Sequence, residues 1–162
     1  MPFVDASHEC PLFITLHKSG DLRGCIGTLS PQPLSAMRDY VHSAAFRDRR
    51  FEPLQRGELD ALNLSVSLLV QYEDCSTCYD WEVGTHGILI HFTVQGKAFS
   101  ATYLPEVAPE QGWTHQETVA SLIRKAGYRG SVTQDVLDGV QTTRYQSSKC
   151  TLSYTDFANG RV

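Results

Sequence analysis

The spacing of apolar residues changes several times along the chain, and each change marks a new element. Residues 11–18 (PLFITLHK) and 22–29 (LRGCIGTL) have strand-like composition and flank the turn signal Ser19-Gly20-Asp21, so the pattern predicts an opening hairpin. From Ser30 the period lengthens: Leu34, Met37, Val41, Ala44 and Ala45 recur at helical spacing. Ser30 is a capping residue type and Pro31 and Pro33 suit a first turn, which predicts a helix running to about Asp48. Residues 62–72 alternate, with Leu62, Leu64, Val66, Leu68, Val70 and Tyr72 on one side and polar residues on the other, as expected of a strand with one buried face.

Two further runs, 87–94 and 97–104, flank Gln95-Gly96 and predict a second hairpin ended by Pro105. Its first strand sends Ile88, Ile90, Phe92 and Val94 inward and leaves His91 on the wetter face. Thr114 with Glu117 forms a capping box ahead of Val119, Leu122, Ile123 and Ala126, and Gly127 supplies a stop, so a second helix follows. Two β-rich segments, 140–146 and 149–154, close the chain. Hairpins with separated helices make an α+β fold, mainly antiparallel sheet with at least two packed helices, within one domain that has room for two lobes.

Composition agrees with a packed core, since 162 residues at 41% hydrophobic and 20% charged are ordinary globular usage. The net charge of -4 provides no general field for nucleic acid or anionic membrane. The one basic cluster, Arg47, Arg49 and Arg50, is interrupted by Asp48 and followed by Glu52. There is no basic start leading into an apolar run and no 18-residue apolar span, which places the chain in the soluble intracellular class, cytoplasmic with the nucleus open. Five cysteines without a secretion signal argue for reduced thiols. Cys75 and Cys78 form a lone CxxC in a stretch that reads as a surface loop, with no second pair at zinc-finger spacing, so no metal site is expected. No HExxH, P-loop, GxGxxG or GxSxG occurs, and no cofactor is implied.

Candidate chemistry centres on LRGCIGT. If this stretch is extended, Arg23, Cys25 and Gly27 share a face. An arginine beside a thiol favours thiolate, and Gly27 would leave a hollow able to receive an anionic or carbonyl-containing ligand. The competing reading is packed architecture: cysteine is commonly buried, strand glycines mark bulges or close approach, and Arg23 can pair with a carboxylate. His86, in the glycine-shaped loop DWEVGTHG with Trp81 and Glu82, is the imidazole best suited to carry a proton, or else it bonds within its own loop. Asp48, Arg50 and Phe51 follow the first helix, where cations suit its negative end or form an anion clamp.

Ordered blocks extend these observations. LRGCIGT, the DxRFxPL piece at 48–54, VSLL at 66–69, DWEVGTHGI at 80–88, ATYLPEVA at 101–108, KAGY at 125–128 and TRYQS at 143–147 together resemble the AMMECR-one domain family, best over residues 11–157. The resemblance implies an α+β fold, no established reaction, and a signature at Arg23, Gly24, Cys25 and Gly27. Asp48, Arg50 and Phe51 fall in a second characteristic block, and Trp81, Glu82, Gly84, His86 and Gly87 in a third. It also implies a pathway link to Memo-like and radical-SAM proteins, and an N-terminal segment that is short or missing here. Two functions follow as expectations. One is a cleft at LRGCIG for small-ligand binding or thiol chemistry, with Cys25 as nucleophile, Arg23 as anion stabiliser, His86 or Glu82 as proton carrier, and Gly24, Gly27, Asp48, Arg50 and Trp81 around it. The other is a non-catalytic regulatory module that binds a protein partner through surfaces including the EPL and YLPEV loops.

Overall fold

The computed structural model describes residues 8–161. Six strands form one sheet in the order β2-β1-β3-β6-β4-β5. They are β1 (Glu9–Lys18), β2 (Asp21–Pro33), β3 (Leu62–Asp74), β4 (Gly87–Val94), β5 (Lys97–Tyr103) and β6 (Gln141–Ser153). The helices are α1 (Met37–Phe46), α2 (Val107–Gln111), α3 (His115–Lys125), α4 (Gln134–Asp138) and α5 (Tyr154–Ala158). The pairs β1 with β2, β1 with β3, β4 with β5 and β4 with β6 are antiparallel, in keeping with an α+β fold. The chain forms two compact units: one runs to Leu69 and resumes at Ser148, and the other spans Val70–Ser147.

In the first unit, Leu12, Ile14 and Leu16 of β1 are buried with Ala44 and Ala45 of α1, and Leu62, Leu64, Val66 and Leu68 of β3 pack with them. The predicted hairpin is present, with Ser19 and Gly20 both at positive φ in the two-residue turn. The predicted helix starts later than its pattern suggested. Residues 30–33 continue β2, pairing Cys10 with Gln32 and Glu9 with Pro33, and only a 3-10 turn at Leu34–Ala36 precedes α1. Proline is tolerated there because β2 is an edge strand, where a missing outward N–H breaks no ladder bond. The face of β3 expected to be wet is also partly covered: Ser65 is buried and its hydroxyl bonds Thr151 Oγ1 of β6 at 2.8 Å.

In the second unit, the inward row of β4, Ile88, Ile90 and Phe92, packs with Val119, Leu122 and Ile123 of α3. Thr114 accepts from the Glu117 N–H while Glu117 accepts from the Thr114 N–H, completing the predicted capping box. Gly127 stands at φ 98°, a conformation suited to the helix stop. The closing β segments are one continuous strand, β6, rather than two. The expected surface loop at the CxxC is only partly one, because Cys78 is buried in the core beside Trp81.

Candidate functional site

A local irregularity sets the geometry of LRGCIG. Leu16 pairs with Gly24 and His17 with Leu22, so Arg23 is an extra, bulged residue with no partner on β1. Its side chain does not turn to the thiol. Nε and Nη2 donate to the two carboxylate oxygens of Glu58 at 2.9 and 3.0 Å, and Nη2 also donates to the Glu52 carbonyl. Glu58 additionally accepts from Lys18 Nζ at 3.0 Å and the Gln55 N–H at 2.8 Å. These four donors hold the Glu58 carboxyl well below the ordinary range, with the Arg23 bond the largest cause.

Past the bulge, Cys25 sits opposite Thr15, and its N–H and C=O point away from β1 toward the free edge of the sheet. Both are taken up by the turn after α1. The Cys25 N–H donates to Asp48 Oδ2 at 2.9 Å, and Arg50 Nη2 donates to the Cys25 carbonyl at 3.1 Å. Arg50 also grips Asp48 through Nε and Nη2 at 3.0 and 2.7 Å. An aspartate and an arginine thereby occupy the places a neighbouring strand's carbonyl and amide would fill. Asp48 is 6% exposed, and the Arg50 bond depresses its pKa far below that of a free carboxylate despite the opposing effect of desolvation. The guanidinium carbons of Arg23 and Arg50 lie 6.0 and 5.4 Å from the Phe51 ring centroid.

Cys25 is half-buried, its sulfur 3.4 Å from Thr15 Oγ1. No hollow opens at Gly27, because a Cβ there would strike the Phe13 ring and the Leu12 carbonyl. A Cβ on Gly24 would strike the Ala44 carbonyl of α1, so this glycine lets helix and strand approach closely. Sequence reasoning missed Glu58, the carboxylate that takes Arg23. Its signal was the i, i+3 spacing of Gln55 and Glu58, a capping-box spacing.

A family model described as AMMECR1 matches residues 3–150, nearly the whole chain. The chain belongs to the AMMECR1 family. An uncharacterized protein of Arabidopsis thaliana is 47% identical over 163 residues, covering 96% of this chain and 75% of its own length. A second, of Schizosaccharomyces pombe, is 45% identical over 156 residues, covering 93% of this chain and 79% of its own. The crystal structure of an uncharacterized protein from Pyrococcus horikoshii superposes with a TM-score of 0.68 at 26% identity, over 90% of this chain and 75% of that one.

The remaining candidates of this AMMECR1-family chain lie in the second unit. Trp81 is buried, its indole donating to the Cys78 carbonyl at 3.0 Å and its ring 4.6 Å from that of His115. Glu82 and His86 do meet, but through the backbone: the Glu82 N–H donates to His86 Nδ1 at 3.1 Å, and the His86 N–H donates back to the Glu82 carbonyl at 3.0 Å. Gly84, at φ 86°, permits this tight loop. With Nδ1 accepting, the neutral imidazole carries its proton on Nε2. Among the described residues no cluster of His, Cys, Asp and Glu is placed to hold a metal, and no helix is long and apolar enough to cross a membrane.

Proposed function

We propose that this domain is a non-catalytic interaction module in which LRGCIG is a brace that holds an edge strand rigid. The observation that carries this reading is the commitment of its polar groups to internal bonds. Arg23 is spent on Glu58, and the buried Asp48 ties the Cys25 backbone to Arg50. What the brace supports is the turn that follows α1, with Arg47, Arg49 and Arg50 exposed around Phe51 and the EPL segment beside it. A rigid scaffold carrying a charged loop suits recognition of a partner.

A second reading, thiol-dependent chemistry, is favoured by the half-buried Cys25 with the Arg50 guanidinium on its own carbonyl. Alkylation rates in folded protein separate the two, with the exposed Cys150 as internal reference. The brace reading expects Cys25 to react more slowly than Cys150 at every pH. Faster reaction at Cys25, with a midpoint well below the free-thiol value of about 8.5, would overturn it in favour of an activated nucleophile.

A further inference from the structure

The two ends of the strand order are treated differently. On the β2 edge, Asp48 and Arg50 occupy the outward groups of Cys25, Pro31 and Pro33 have no N–H, and the Arg23 bulge breaks the ladder. These are standard ways of closing an edge. The β5 edge has almost none of them.

The register of the second hairpin identifies which groups are open. Gln95 and Gly96, at φ 51° and 78°, make a two-residue turn closed by the Val94 and Lys97 pair. Counting from that hydrogen-bonded pair, Lys97, Phe99, Ala101 and Tyr103 bond inward to β4, while Ala98, Ser100 and Thr102 turn their N–H and C=O outward. Among the described residues only the Thr102 carbonyl is filled, by Lys125 Nζ at 2.8 Å. Ala98 and Ser100 are exposed and carry small side chains. Two adjacent outward residues therefore present four backbone groups that another strand can pair with, and no charge, proline or bulge intervenes between them.

Charge selects what can lie there. Lys97 Nζ stands 5.2 Å from the Phe99 ring and Lys125 Nζ 4.5 Å from the Tyr103 ring, on the face of β5 that packs toward α3. Neither ammonium has an ion pair among the described residues. From Phe99 to Tyr103 is about 13 Å of strand, the distance separating residues i and i+4 of an extended peptide on one face. We propose that β5 is an acceptor edge for an extended acidic segment of another protein, paired at Ala98 and Ser100 with carboxylates toward Lys97 and Lys125. A second copy adding through its own β5 would bring two further ammoniums to the same edge, so like charge opposes that occupant. This rests on the interaction-module reading and goes beyond it, adding a surface other than the turn after α1 and a partner chemistry for it.

The test uses the whole chain and two synthetic seven-residue peptides, one alternating glutamate and valine and the other lysine and valine. Amide exchange is followed residue by residue. The glutamate peptide should slow exchange at Ala98 and Ser100, and the lysine peptide should not. Ser100→Pro removes an outward N–H without touching a bond to β4, and should abolish the effect while circular dichroism stays native. Lys97→Glu, which asks nothing of the backbone, should weaken binding by roughly 5-fold, the scale of one screened ion pair. Equal protection by both peptides, no protection by either, or an unchanged affinity in Lys97→Glu overturns the proposal. So does protection without peptide that grows with protein concentration, which would make the occupant a second copy. A failure here leaves the Cys25 alkylation result standing, whereas an activated Cys25 would remove the module reading itself.

Discussion

Asp48 carries more of the signature region than any residue inside LRGCIG. It is buried, accepts the Cys25 N–H, and is held by an arginine that also reaches the Cys25 carbonyl. Asp48→Asn keeps the shape but loses the charge-assisted bonds. We expect it to lower unfolding free energy by about 2–3 kcal/mol, read from urea denaturation, with Cys25 becoming more reactive to alkylation as the edge loosens. A loss below about 0.5 kcal/mol would mean the clip contributes little. This role was only half legible in the chain. The motif LRGCIG drew attention to the pairing of Arg23 with Cys25, because strict alternation puts them on one face. The bulge at Arg23 breaks that alternation, and a single-residue bulge leaves no periodic signal. The carboxylate facing Arg23 also comes from a distant segment, Glu58, 35 residues away, whereas Arg50 finds Asp48 two residues before it.

Among the elements, those with local signals were read well. The hairpin turn at Gln95-Gly96 and the capping box of α3 are written in two and four adjacent residues, and both are present. Thr114→Ala should therefore cost about 1 kcal/mol in chemical denaturation with the m-value unchanged, since one helix end loses its cap but the core stays closed. Elements decided by tertiary partners were misread. Residues 30–33 look like a helix start because proline suits a first turn, yet pairing with Glu9 and Cys10 draws them into β2. Cys78 has turn-forming neighbours but goes inward, where its contact with the core around Trp81 and Val140 outweighs local polarity. The five-residue helices α2, α4 and α5 are too short to leave a periodic trace.

At the scale of the molecule, the depressed carboxylates give the fold a pH dependence of known sign. Asp48, Glu58, Asp80 and Glu117 all titrate below their ordinary values, chiefly through hydrogen bonds to arginine side chains or to backbone N–H groups. The unfolded chain takes up protons first as pH falls, so stability held at neutral pH should decline once pH drops below about 4.5. Thermal midpoints from pH 7 to 3 should show this decline, and Asp48→Asn should flatten part of it. A midpoint that rises on acidification would contradict the assignment. The α+β class was legible from hydrophobic period and room for two lobes from length, but the boundaries of the two units were not, because β3 and β6 each pass through both.

That threading has a consequence for synthesis. The first unit contains the start of the chain and its last strand half, and its Ser65 hydroxyl waits for Thr151, 86 residues later. Val70–Ser147 emerges whole in between, at about 5–20 residues per second. On a ribosome, the second-encoded unit therefore has all its parts first, while the first-encoded one stays open, its β3 unflanked on one side, until the second half of β6 follows. A deletion of the second half of β6 would strike the unit built on β1–β3 rather than the stretch Val70–Ser147 that directly precedes it.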